Sequence, residues 1–357
     1  MVRLVAIGIV VAFAAAGCGG GGQSDAEKLR EIERDLATLP DPGPGLGEGG
    51  PPSRSLTAGW ETDFSRHSVP FDEFMSGGPP KDGIPAIDEP RFVSVEEAGF
   101  LEPREPVIAL DVGGDARAYP IQILIWHEIA NDVVAGVPVA VTFCPLCNTA
   151  IVFDRRLDGR TLDFGTTGNL RNSDLVMYDR QTESWWQQFG GEALVGQFTG
   201  EELEQLPSRI VAWEQFAREH PDGQVLSRDT GHSRAYGRNP YVGYDSVDSP
   251  PFFPVQGSDD ERLPPKERVV LVERGGETVV VPFSVLRERR IVEIRVGGDE
   301  LTVRWRPGVA SSLDDDSVAG GRDVGTAEVL REGELVPFDQ PFWFAVAAFR
   351  PDARIVR

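Results

Sequence analysis

The residues of this chain best suited to chemistry are Cys144 and Cys147, in the run Cys144-Pro145-Leu146-Cys147. They lie between two strand-like runs, VAVTF (139–143) and TAIVF (149–153), so the motif is expected to form the turn of a hairpin. Redox CxxC pairs of the thioredoxin type sit at a helix N-terminus, where the dipole lowers the thiol pKa. No helix is expected after Cys147. A CPxC hairpin instead matches a metal knuckle, in which both sulfurs face one ion. Zn or Cu(I) then needs one or two further ligands.

The chain has four histidines, His67, His127, His220 and His232. His127 is the nearest in sequence to the cysteines. If EIANDVV and VPVAVTF form a hairpin around Ala135-Gly136, His127 and Cys144 are equidistant from the turn. Cross-strand neighbours of this kind have Cβ atoms roughly 4.5–5.5 Å apart. The expected site is therefore Cys144, Cys147 and His127, for metal or for thiol redox. Three readings stand side by side at this point. They are a Zn or Cu(I) site, a thiol–disulfide oxidoreductase, and a non-catalytic binding or scaffold protein with a structural CxxC.

A second polar group follows Gly165 and Gly168: Asn169, Arg171, Asn172, Ser173 and Asp174. Asn169, Arg171 and Ser173 could line a pocket with Trp185 and Trp186, which alternate across a strand. The stretch containing Asp229, His232, Arg234 and Tyr236 either covers a site or only joins two units. There is no GxSxG elbow, HExxH, P-loop or GxGxxG in the sequence. Asn148 after Cys147 excludes a c-type haem motif.

The scaffold that must position these groups is repeated. LEPREPVIALDVGGDARAYPIQIL (101–124) lies over LPPKERVVLVERGGETVVVPFSVL (263–286), an offset of 162. A second block, Trp213–Leu226 over Trp343–Val356, has an offset of 130. Two ordered blocks indicate a duplicated unit. Unit 1 spans about 82–227 and a shorter unit 2 about 263–357. In this alignment Cys144 falls on Arg306 and His127 on Arg289, which places any chemistry in unit 1. Each unit reads as antiparallel hairpins around Gly-Gly or Ala-Gly turns with short helices. The expected fold is mainly β, a β-rich α+β body over 54–357.

The N-terminus reads as an address. Arg3 and the apolar run Leu4–Ala16 form a signal peptide over 1–17. Ala15-Ala16-Gly17-Cys18 resembles a bacterial lipobox, which implies cleavage before Cys18 and lipidation of its thiol. Residues 18–53 then form a stalk, with a short helix over Ser24–Leu39 and a Pro/Gly-rich end. The expected partner is a membrane, reached through this anchor on its extracytoplasmic face. A net charge of −22 argues against nucleic acid. Three cysteines in 357 residues exclude a disulfide-stapled scaffold.

The runs DGIPAID (82–88), AYPIQILIWHEIAND (118–132), TFCPLCNTAIVFDR (142–155), FGTTGNLRNSDLVMYDRQTESWWQQFGGEA (164–193), PYVGYD (240–245) and FWFAVAAFRPDARI (342–355) resemble the DUF3179 family of bacteria and archaea. The resemblance covers roughly 80–357. It implies no activity, substrate or cofactor, so the residues must carry the functional argument.

Overall fold

The structure is a computed structural model that describes residues 52–357. The expected signal segment, Cys18 and the helix over Ser24–Leu39 lie outside the described residues. The described chain is β-rich, with 39% strand against 12% helix, and its small antiparallel sheets form a propeller-like ring. No helix among the described residues is long and apolar enough to cross a membrane.

Glycine-containing two-residue turns set the hairpins. Gly113-Gly114, Ala135-Gly136, Asp158-Gly159, Gly275-Gly276 and Gly297-Gly298 all have positive φ at both positions. That is the turn geometry whose twist matches paired strands. In unit 1, Pro106–Val112 pairs with Asp115–Pro120, and helix Ile121–His127 follows. Ile129–Val134 then pairs with Val137–Cys144, which pairs in turn with Thr149–Asp154.

Unit 2 builds the same order from Val269–Arg274, Glu277–Pro282, helix Phe283–Arg289, Ile291–Val296, Asp299–Arg306 and Thr326–Arg331. The two offsets recur in the hydrogen-bond register. Gln224 lies beside Arg117 in a parallel pair, and Arg354 lies beside Val279 in its counterpart. Each unit's late strand thus returns to the second strand of its first hairpin.

The alignment expected one length change between the blocks; the structure shows two that oppose each other. Cys144 faces Thr149 across four residues, whereas Arg306 faces Thr326 across residues 307–325. The Cys turn of unit 1 is therefore replaced by a long loop in unit 2. Unit 1 carries its own insertion, residues 155–204, between strand pairings that are nearly contiguous in unit 2. That insertion supplies Phe164–Arg171, Asp174–Asp179 and Trp185–Gln187, three neighbouring strands of a second sheet.

The insertion explains the burial pattern. Thr149–Asp154 is buried at every position, and Val137–Cys144 at every position but the first. In unit 2, Ile291–Val296 alternates buried and exposed. A strand covered on both faces reads as a continuous apolar run, and one covered on a single face alternates. The Cys-bearing strands are thus central, and their unit 2 counterparts peripheral. The largest apolar cluster runs from Ile108 through Phe143 and Phe153 to Phe342 and Trp343, so it draws on both units.

One glycine is irreplaceable in the sheet that carries Asp174. Gly168 sits at a register shift between Thr166 and Leu170 with φ +77°. A Cβ there would lie 2.0 Å from the Pro79 carbonyl oxygen. At Gly159 φ is +73° but a Cβ would meet nothing within 4 Å. Gly159→Ala is expected to cost about 1 kcal/mol, the conformational penalty alone. Gly168→Ala adds overpacking and is expected to cost about 2–4 kcal/mol. Urea unfolding of both variants checks this; equal losses would refute the steric argument.

Candidate metal centre

The Cys turn lies as a hairpin end, with residues 145–148 joining Cys144 to Thr149. Asn148, at φ +59°, takes the left-handed position. Both cysteines are free thiols and are essentially unexposed. The third group beside them is Asp174, also fully buried. One ligand atom from each of Cys144, Cys147 and Asp174 lies within 4.8 Å of the others.

Asp174 reaches the cysteines from the inserted sheet. It follows the turn Asn172-Ser173, whose residues take φ +52° and +58°. Its Oδ1 lies 2.8 Å from the Cys147 sulfur. Its Oδ2 accepts from Gln187 Nε2 at 2.5 Å and from the Phe189 amide at 2.9 Å. Arg171 donates in turn to Gln187 Oε1 at 3.3 Å. The carboxylate is therefore held by a chain of donors before any ion is considered.

A second chain fixes Cys147. Thr149 Oγ1 lies 2.9 Å from the sulfur and donates to Gln188 Oε1 at 2.5 Å. Gln188 Nε2 donates to Thr142 Oγ1 at 2.8 Å, and Thr142 donates to the Ile151 carbonyl. The threonine proton is thus committed to Gln188. The Cys147 thiol proton is then left to Thr149 Oγ1 or Asp174 Oδ1, and Cys144 also hydrogen-bonds Asp174.

Electrostatics sharpen this. Burial pushes the Cys147 thiol well above its ordinary value, with Cys144 and the Asp174 charge adding to it. Burial also raises Cys144, and Asp174 and Glu128 raise it further. Asp174 itself is raised by burial, against its hydrogen bonds. Glu128 is pushed up to about 8 by burial and by Asp174. Among the described residues, no Lys or Arg forms an ion pair with Asp174 or Glu128.

His127 is not part of this group. The hairpin pairs Ile129 with Thr142, and the Glu128 carbonyl accepts from the Phe143 amide at 2.8 Å. The ladder itself stops at the Ile129–Thr142 pair, two residues short of His127. His127 ends a helix, and Glu128 reverses the chain at φ +58°. The imidazole turns to the Pro85 carbonyl through Nδ1 and to the Tyr236 hydroxyl through Nε2, both at 2.7 Å. A carbonyl only accepts, so Nδ1 carries the proton and Nε2 accepts from Tyr236. Thr230 shares the Tyr236 hydroxyl.

The expected pocket residues are placed otherwise as well. Trp185 and Trp186 are both fully buried, so neither is a pocket wall. Trp185 packs with Phe71, Phe74 and Tyr178, whereas Trp186 joins the main core and donates to Asp179. Arg171 pairs with Glu73 and braces Gln187. Ser173 donates to the Phe253 carbonyl. Asn169 is buried beside Thr167, whose Oγ1 accepts from its amide. Sequence reasoning placed Asp174 within a polar cluster but not at the cysteines. The long irregular segment after unit 1 does cover the site. Tyr244 donates to the Leu146 carbonyl at 2.8 Å, inside the Cys turn.

Fold and site together define a β-rich protein with a duplicated hairpin unit and one buried Cys–Cys–Asp cluster. Residues 81–353 match the family described as "protein of unknown function (DUF3179)", and the chain belongs to that family. No curated protein and no solved structure matches the chain.

The buried imidazole yields a pH prediction. His127 is pushed down to about 4, chiefly by burial, with His232 and Arg234 adding to it. Its folded pKa is below its unfolded value of about 6.5, so the unfolded chain binds the proton more readily. Stability from this group is complete above pH 6.5 and is lost as pH falls toward 4, by about 3 kcal/mol in all. The wild-type Tm should therefore drop more than that of His127→Gln between pH 6.5 and 4. Parallel pH–Tm curves would refute it.

Proposed function

We propose that this protein is an extracytoplasmic lipoprotein that binds a transition metal through Cys144, Cys147 and Asp174. The observation that carries this reading is the convergence of three buried ligand atoms within 4.8 Å, with no Lys or Arg among the described residues paired to Asp174. A divalent cation would supply positive charge there and lower the thiol pKa values at the same time. Ionised side chains buried without a partner cost several kcal/mol each. The donor set favours Zn(II) over Cu(I), because the third ligand is a hard carboxylate oxygen rather than a third soft donor. The hydrogen bonds from Gln187 and Phe189 to Asp174 are the kind that orient a metal-binding carboxylate.

The same geometry weighs against thiol–disulfide exchange. A redox cysteine needs access and a depressed pKa. Here both thiols are buried, and burial raises both.

Elemental analysis of the full chain, purified anaerobically, tests the metal. Near-stoichiometric zinc is expected. Cys144→Ser and Asp174→Asn should each weaken it by on the order of a hundredfold or more, whereas His127→Ala should retain it. A zinc-free protein after reconstitution would refute the reading, and metal loss in His127→Ala alone would refute the ligand set.

The anchor rests on the Ala-Ala-Gly-Cys18 run. Fatty-acid labelling of the exported chain is expected in the parent and absent in Cys18→Ser, which should leave the membrane fraction. Label retained in Cys18→Ser would sink this proposal.

A further inference from the structure

One buried carboxyl outside the cysteine cluster has half of its hydrogen bonding unmade. Asp339 is 6% exposed and lies in unit 2 at its border with unit 1. Its amide and its carbonyl both bond Leu271 of unit 2. Its Oδ1 accepts from the Ala150 amide of unit 1 at 3.1 Å and from the Gln340 amide at 2.7 Å. Its Oδ2 is buried and has no partner. Burial pushes the carboxyl up to about 7, against those two bonds. Neither protonation state cures the defect. The ionised Oδ2 lacks a donor, and a proton on it lacks an acceptor.

Asp339 lines a recess of about 50 Å³ where the inserted segment, the strand Thr149–Asp154 and unit 2 meet. That leaves room for about three water-sized groups at roughly 15 Å³ each. The other polar side chains on its wall are Glu273 and Gln205. Glu273 accepts only, and Arg350 and Thr278 both take its Oε1. Gln205 turns its Nε2 to the Phe338 carbonyl at 3.0 Å, which leaves its Oε1. Three oxygen acceptors therefore share one small space, with the rings of Phe189 and Phe338 in the same wall. The surroundings already hold a cation. The Arg350 guanidinium pairs with Glu273 at 2.5 Å and lies 5.5 Å from the Phe189 ring centre.

Water matches this wall poorly, because it brings lone pairs that carboxylates cannot meet. A bound metal ion takes several oxygen ligands, and among the described residues Asp339 joins no group of three close metal-ligating side chains. An ammonium has three donors and no acceptor, and its alkyl part suits an apolar wall.

We propose that this recess binds the alkylammonium head of a small primary amine, with Asp339 Oδ2 as its anchoring acceptor and Glu273 and Gln205 as the others. The inference does not depend on the metal reading. Phe189 holds Asp174 through its amide, so the recess backs onto the cysteine cluster without sharing its ligands.

Calorimetric titration of the full chain with ethylammonium chloride tests this, beside potassium and tetramethylammonium chlorides at equal ionic strength. A saturable heat is expected with ethylammonium alone. Its Kd should be roughly 1 mM, near the ceiling for a ligand of about three non-hydrogen atoms. Asp339→Asn keeps an Oδ1 for both amides and should weaken binding about tenfold or more. If that variant does not fold, Glu273→Gln decides in its place, at an exposed residue, with an expected loss of about threefold. No saturable heat, equal heats from all three cations, or an unchanged affinity in the folded variant would overturn the site.

Discussion

Three acids are buried together, the two thiols and the carboxyl of Asp174, and the Glu128 carboxyl interacts electrostatically with them. Their surroundings shut out solvent. The Cys-bearing strands are buried on both faces, the inserted sheet closes one side, and the segment through Tyr244 closes another. Desolvation penalises the ionised form of each group, and each group's charge penalises its neighbours. Such an arrangement is stable in two ways only. The acids hold their protons, or a cation takes the protons' place. The hydrogen bonds to Asp174 Oδ2 favour its ionised form, but burial outweighs them, and burial raises both thiols as well, so without a cation the protons stay on.

Unit 2 is an internal control for this argument. It has the same ladder, the same helix and the same left-handed residue at the helix end, Arg290 at φ +65° against Glu128 at φ +58°. The amide following that turn bonds equivalently, Trp305 to Arg290 as Phe143 to Glu128. Yet Arg290 stacks its guanidinium on Trp305, and Arg306, at the position of Cys144, pairs with Glu328. These charges stay exposed or paired, and the strands there need no second cover. The scaffold therefore tolerates ordinary residues at these positions. The buried acids of unit 1 are an addition to the fold rather than a requirement of it.

Local chemistry was legible in the sequence where neighbours in the chain decide it. The Gly-Gly and Ala-Gly turns fix the hairpins, and the turn at Ala135-Gly136 fixes which residues face each other. Ladder arithmetic gives backbone adjacency, however, and not side-chain direction. His127 falls outside the ladder and its ring bonds Pro85 and Tyr236, because a helix ends there and Glu128 turns the chain. Asp174 could not be placed from its spacing, because its approach depends on how the inserted sheet packs on the Cys hairpin. Trp185 and Trp186 alternate as expected, but a strand between two packed layers has no free face for a pocket wall.

The loop that replaces the Cys turn in unit 2 completes the logic of the duplication. Residues 307–325 fold over the covering segment rather than around a site of their own. Ser311 and Arg322 both bond Asp245, immediately after Tyr244. Burial pushes the Asp245 carboxyl up, but Arg268, Ser311 and Arg322 outweigh it and hold that carboxyl below its ordinary range. Arg268 then donates to Asn148 Oδ1 at 2.5 Å, inside the Cys turn itself. The Asp314 and Asp316 carbonyls take the amides of Gly243 and Asn239, on either side of Tyr241. Unit 2 thus carries a clamp where unit 1 carries the Cys turn. The clamp holds the backbone around Tyr241 and Tyr244 and the turn that carries the cysteines. A pair of units in which one holds the centre and the other holds the lid over it accounts for both opposed length changes.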